Sequence, residues 1–155
     1  MAFNIKSLKP QQSSKFHQGE FDKYNPKKYF GPRPIIYRSS YELAFMRKME
    51  ANSIVTAWSS ENIVIPYTMQ EKLGGKIITK RHNYNTDFEV HLKNGKKVIV
   101  EVKPRCQCPE SEMQMRRNPD IRKNAAKWAA AFAWAKLNGY EFRIITEQHL
   151  ATKIF

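Results

Sequence analysis

Asp87, Glu101 and Lys103 can act together if one turn of the chain has the right geometry. They flank Asn94-Gly95, a tight-turn dipeptide, with strand-like runs over 87–92 and 96–103 on either side. A two-residue turn would pair Lys93 with Lys96 and set Phe88 against Glu101, mixing apolar and charged side chains along each face. A three-residue loop, Lys93-Asn94-Gly95, pairs Leu92 with Lys96 and puts Gly95 in the left-handed position of a G1 bulge. Val90 then faces Val98, Phe88 faces Val100, and one face is uniformly apolar. A one-residue slip would turn every side chain to the other face, so the pattern selects this second register. It sets Asp87 opposite Glu101, their Cβ atoms about 5 Å apart, and places Lys103 beside them on the non-core side of the hairpin. Carboxylates this close repel each other unless something positive lies between them. A hard divalent cation such as Mg2+ is the natural occupant, because it takes oxygen ligands and keeps several waters. With Lys103 orienting a water or steadying charge on a phosphate, the chemistry is metal-assisted phosphodiester hydrolysis. The same residues also fit a solvated sheet face, where charged and apolar positions alternate by default.

The elements that must hold these residues are readable on both sides. Residues 39–52 have the apolar spacing of a helix through Tyr41, Ala44, Phe45 and Met49, with Ser39-x-x-Glu42 as a capping box and Asn52 as the stop. Runs over 54–58, 62–67 and 76–81 read as strands, the last after a Gly74-Gly75 turn. Pro104 ends the strand that carries Lys103, and a basic loop, 105–117, follows. Asn118-Pro119-Asp120 starts a second helix: a cap, a proline in the first turn and an acid at the positive helix end. Ile121, Ala125, Trp128, Ala129 and Phe132 form its expected core stripe, and Asn138-Gly139 ends it before a strand over 142–146. The fold class is α/β: helix, mixed β-sheet, helix, strand. Lys123 and Lys127 share one face of the second helix, pointing either at phosphates or at solvent. Arg38 and Ser39, at the first helix N-terminus, are candidate phosphate contacts. His82 reads either as a residue near the site or, as a lone histidine more often is, as structural.

Charge narrows the partner. The 155 residues carry 27 Lys and Arg against 14 Asp and Glu, a formal net charge of +13. Such a balance argues against small neutral substrates and for a polyanion, nucleic acid before membrane. Residues 1–38 hold +6 of that excess. This stretch is irregular and proline-bearing, with aromatics interleaved among lysines. It reads as an arm, 1–37, in which most aromatics pack and most lysines, Lys27 and Lys28 among them, face the polyanion. Arg105, Arg116 and Arg117 would add contacts from the loop after the site. No run approaches the ~20 apolar residues of a membrane span, and the first ten residues lack the apolar stretch of a signal peptide. Cys106 and Cys108 are expected as free thiols, and no repeat period is visible.

The spacing Asp87…Glu101-Val102-Lys103 resembles the D…ExK signature of the PD-(D/E)XK nuclease superfamily. Longer strings sharpen the likeness: Tyr37-Arg38-Ser39-Ser40-Tyr41-Glu42, Trp58-Ser59-Ser60-Glu61, Ile65-Pro66-Tyr67, Asn85-Thr86-Asp87-Phe88 and Ile99-Val100-Glu101-Val102-Lys103. They are similar to the endonuclease-subunit branch that cuts transposon ends, and closer still to the head completion nucleases of T-even-like tailed bacteriophages. Where the superfamily often has a proline before its first catalytic acid, this chain has Thr86. The resemblance implies a restriction-endonuclease-like core over 38–155 behind the basic arm. It implies Glu42, Asp87, Glu101 and Lys103 as catalytic residues. Mg2+, with Mn2+ as substitute, would be held by Asp87, Glu101, the Val102 carbonyl and Glu42. Implied partners are double-stranded DNA or DNA ends and phage head-neck or portal proteins, with no membrane. The implied location is the host cytoplasm during assembly, and the virion. A non-catalytic head-assembly plug that keeps the nuclease fold, and a repair or recombination nuclease, are the alternatives.

Overall fold

The computed structural model describes residues 18–155. The part of the arm over 1–17 lies outside the described residues. Residues 18–37 form a short antiparallel pair, β1 (Gly19–Glu20) with β2 (Ile36–Tyr37), closed by a 3-10 turn at Phe21–Tyr24. Phe21, Ile35 and Tyr37 are buried in the same core as the first helix, so this half of the arm is built into the domain. Tyr24 and Phe30 stay exposed. Lys28 does not reach outward: its ammonium donates to the carbonyls of Met49 and Asn52, capping the helix that follows.

That helix, α1 (Ser40–Ala51), starts at Ser39 and stops at Asn52 as the sequence predicts, and buries Phe45, Met46 and Met49. After it come β3 (Val55–Ser60), β4 (Val64–Leu73), β5 (Lys76–Asn85), β6 (Phe88–Leu92) and β7 (Lys97–Val102). Strands β4 and β5 extend well past their expected limits and make one ten-residue hairpin. Beyond β7 lie α2 (Glu112–Arg117), α3 (Pro119–Asn138), β8 (Glu141–Ile145) and α4 (Glu147–Leu150). The 105–117 segment is therefore not all loop: Ser111 caps α2 by accepting from the Gln114 N–H.

The main sheet has the order β3-β6-β7-β8, antiparallel except for the parallel β7–β8 pair. The β6–β7 register is the one that the apolar pattern selects: Phe88 faces Val100 and Val90 faces Val98. Gly95 has φ 84° and its N–H donates to the Leu92 carbonyl. One sheet face packs Val90, Val98 and Val100 against α1 and the 18–37 segment.

The other face is not solvated, contrary to the expected non-core side. The β4–β5 hairpin and α3 cover it, burying Ile65, Tyr67, Tyr84, Ile99, Ala131 and Ala135 together. Sequence alternation shows which residues share a face, not what lies over it, and a separate hairpin has been laid there. Helix α3 also turns a different side inward. Ile121, Asn124, Trp128, Ala131 and Ala135 are buried, while Phe132, expected in the core, is 61% exposed. Bulky Ile65, Tyr67 and Tyr84 on the hairpin leave room for alanine at the contact, so the small residues face inward and Phe132 does not.

Candidate active site

A cleft of about 850 Å³ opens where the start of α1, the ends of β5 and β7, and the first turns of α3 meet. Its lining brings Glu42, Asp87, Glu101 and Lys103 together with Arg38, Ser39, Lys123 and Lys127. Each carboxylate is oriented by a neutral donor. The Val102 N–H donates to Asp87 Oδ2 at 2.8 Å, across the hairpin and next to Glu101. Tyr84 donates its hydroxyl to Glu101, whose residue is 1% exposed. Glu42 Oε2 accepts from the Arg38 N–H at 2.6 Å, while its own N–H donates to Ser39 Oγ at 3.1 Å. The capping box forms with its return bond one residue early, on Arg38.

Burial pushes the Asp87 carboxyl well above the usual range, and the charges of Glu101 and Glu42 push it further. Glu42 is raised for the same first reason, with Glu61 and Glu101 adding to it. Lys103 stands 3.9 Å from Glu101 Oε1, close enough to attract but not hydrogen-bonded. Lys127 lies with Nζ 4.8 Å from the centre of the Tyr84 ring, and burial lowers its pKa. Its side chain lines the cleft and is not fully solvated.

Other sequence candidates fall elsewhere. Lys27 and Lys28 sit beside Glu50, toward the end of α1 away from Glu42. Arg105, Arg116 and Arg117 are exposed outside the cleft lining, with Arg105 near Glu110 and Arg116 near Glu112. His82, by contrast, lines the cleft, where it stacks on Tyr67 and meets Glu71 at 2.9 Å. Cys106 and Cys108 are free.

Sequence reasoning missed two contributors. Tyr84 gave no signal beyond alternation in β5. Glu61 has a left-handed backbone, φ 53°, and donates its N–H to the Asp87 carbonyl, while its carboxylate pairs with the Arg38 guanidinium. It thus ties the start of α1 to the strand entry at Asp87. Thr86, just before Asp87, makes bonds that a proline there could not. Its N–H and hydroxyl both donate to the Ile63 carbonyl.

The oxygen-only donor set suits a hard cation. Among the described residues, no three His, Cys, Asp or Glu are already gathered as a metal cage. Asp87 and Glu101 are the central carboxylates, and Glu42 is drawn toward its own helix start.

The model of the TnsA-like endonuclease N-terminal domain matches residues 52–147, from the end of α1 into α4. This chain belongs to the TnsA-like endonuclease family. The matched span contains Asp87, Glu101 and Lys103, and membership implies a restriction-endonuclease-like core, with which the mixed sheet and flanking helices here agree. The chain is also similar to the head completion nuclease of Enterobacteria phage T4, at 29% identity over 146 residues, covering 86% of this chain and 93% of that protein. That similarity reaches beyond the TnsA-like span. Among the described residues, no helix is long and apolar enough to cross a membrane.

Proposed function

We propose that this TnsA-like protein is a Mg2+-dependent DNA endonuclease or DNA-end trimmer that acts in phage head completion after genome packaging. One observation carries the chemistry: the hairpin register sets Asp87 beside Glu101, with Lys103 next to both, in a cleft edged by lysines. The likeness to a head completion nuclease supports the setting.

Asp87, Glu101 and the Val102 carbonyl would hold Mg2+, with Glu42 behind them. A bound Mg2+ supplies Lewis-acid polarisation of the phosphate and lowers the pKa of a ligated water. The protein's own groups do the rest. Tyr84 and the Val102 N–H fix the two carboxylates, so they need not reorganise during the reaction. Lys103 orients the attacking water and offsets charge building on the phosphate. Lys123 and Lys127 neutralise backbone phosphates beside the scissile bond.

The test is duplex DNA, plasmid and linear, with Mg2+ or Mn2+, comparing wild type with Asp87→Ala and Lys103→Ala. Cleavage by wild type that both substitutions abolish, with duplex binding retained, supports the enzyme. No cleavage by wild type, or equal cleavage by the variants, overturns it in favour of a non-catalytic plug. Complementation of head-completion-defective infections by wild type but not Asp87→Ala separates head completion from a repair or recombination role.

A further inference from the structure

We propose that the β4–β5 hairpin is a DNA arm whose outward face enters the major groove beside the cleft and sets where the cut falls. This rests on the nuclease reading and extends it to how the duplex is held.

At about 3.4 Å per residue, ten-residue strands span about 34 Å. The base of the hairpin is anchored: Ile65, Tyr67 and Tyr84 are buried against Ile99, Ala131 and Ala135. The distal part is not. Leu73 is 69% exposed and Ile77 67%, at a tip that turns through Gly74-Gly75.

Alternation from the buried positions gives the face that points away from the core. It carries the pairs Gln70–Thr79, Thr68–Arg81 and Pro66–Asn83, and every one of these residues is exposed. Amides, hydroxyls and a guanidinium are the groups that hydrogen-bond base edges, and a two-stranded ribbon fits a groove about 12 Å wide. The face carries no carboxylate. The hairpin's one acid, Glu71, lies on the opposite face, bound by His82 at 2.9 Å and near Lys80 at 3.8 Å. Lys72, Lys76, Lys80 and Arg81 leave the ribbon strongly positive. Lysines alone would be explained as protection of a free strand edge. The run of base-reading side chains would not, nor would the apolar tip, which suits thymine methyls or a groove wall. The face is also continuous with the catalytic cleft: Asn83 and Asn85 belong to both.

The experiment uses the full chain carrying Lys103→Ala, so that DNA is bound but not cut. A photo-crosslinking phenylalanine replaces Thr79 in one sample and Lys123 in another. Crosslinks to a defined duplex from both positions are expected, the Thr79 adduct lying to one side of the Lys123 adduct. In parallel, Lys72→Ala/Arg81→Ala should make the slope of log affinity against log salt shallower by about 2. On the cleavage-competent background it should spread the cut over neighbouring bonds. Crosslinks from position 123 but none from 79, with an unchanged salt slope and cut position, overturn the arm and leave the nuclease standing. A hairpin that crosslinks to protein and not to duplex also overturns it. Failure to bind duplex from either position overturns the nuclease reading and the arm together.

Discussion

Consider Asp87→Asn in protein stripped of divalent cations. The asparagine keeps the shape and keeps an oxygen to accept from the Val102 N–H. It removes one negative charge from a site that also holds Glu101 and Glu42. Two like charges about 5 Å apart at an effective dielectric constant near 20 repel by about 3 kcal/mol. Against that relief, the variant loses attraction to Lys103, and its bond to Val102 is no longer charge-assisted, a loss of roughly 1 kcal/mol. The expected balance is a metal-free fold more stable by about 1–2 kcal/mol. For a chain of this size that is a melting temperature higher by about 2–8 °C.

The pH dependence has a definite sign. Burial and neighbouring charge hold the Asp87 pKa in the fold well above its ordinary value. Between the unfolded pKa, near about 4, and that raised value, the folded state keeps a proton that the unfolded chain has released. Wild-type stability therefore falls as pH rises through this window, and Asp87→Asn lacks that fall. Thermal melts in EDTA from pH 4 to 8 should show little difference at the acid end and a widening gain for the variant above it. Adding Mg2+ should stabilise wild type selectively, by mass action on the folded state, and close or reverse the gap. A variant that melts at or below wild type in EDTA at pH 8, or a gap that ignores pH, would refute the claim that these charges repel in the fold.

Tyr84→Phe leaves the buried Glu101 carboxylate without its hydroxyl donor; urea unfolding should show a loss of about 1.5–3 kcal/mol, with slower cleavage. Glu89→Gln tests a second buried carboxylate, held by Ser59, His91 and Tyr140. Burial alone would raise the Glu89 pKa, but these bonds outweigh it and hold the group low. Its stabilisation is therefore present above the ordinary glutamate range and lost as pH falls through the depressed value; the variant should be weaker by about 1–3 kcal/mol at pH 7, with a flatter acid limb in a stability–pH titration. Lys28→Ala removes the cap on Met49 and Asn52 and should lower stability by about 0.5–1.5 kcal/mol without weakening DNA, whereas Lys127→Ala should weaken DNA in a salt-dependent binding assay.

The β6–β7 register was legible because two alternating apolar runs and a glycine turn leave only one slip that keeps Val90, Val98, Phe88 and Val100 on one side. The caps of α1 and α3 were legible for the same local reason: Ser39 and Asn118 bond backbone groups two or three residues away. What lies over a face is a long-range fact. Nothing within β7 says that the hairpin that precedes β6 returns to bury Glu101, so the site looked like a surface when it is a cleft with buried carboxylates. Phe132 misled in a related way, because helical spacing allows several stripes and the bulk of the opposing layer chooses among them. Lys28 shows the limit of charge reasoning, since a lysine count does not distinguish an ammonium facing DNA from one capping a helix.

That burial bears on whether the acids are structural or catalytic. A buried carboxylate kept for structure would ordinarily be neutralised by a bonded cation. Glu89 comes near that solution, ringed by a histidine and two hydroxyls that hold its pKa low. Asp87 differs. Its observed donor is a backbone N–H, Glu101 takes a phenol, and Lys103 stops 3.9 Å short of Glu101. Neutral donors aim the oxygens without cancelling their charge. Burial, with neighbouring carboxylates adding to it, leaves Asp87 and Glu42 above their ordinary pKa values, so Lys103 and Arg38 do not fully offset the charge gathered there. Under the proposed function a divalent cation would offset that charge, and would turn a destabilising arrangement into one suited to phosphodiester hydrolysis. A calorimetric titration of the full chain with Mg2+ or Mn2+, run below the raised Asp87 pKa, should therefore show proton release in wild type and lose that component in Asp87→Asn. Metal binding with equal proton release in both would mean that the counter-charge is taken up elsewhere.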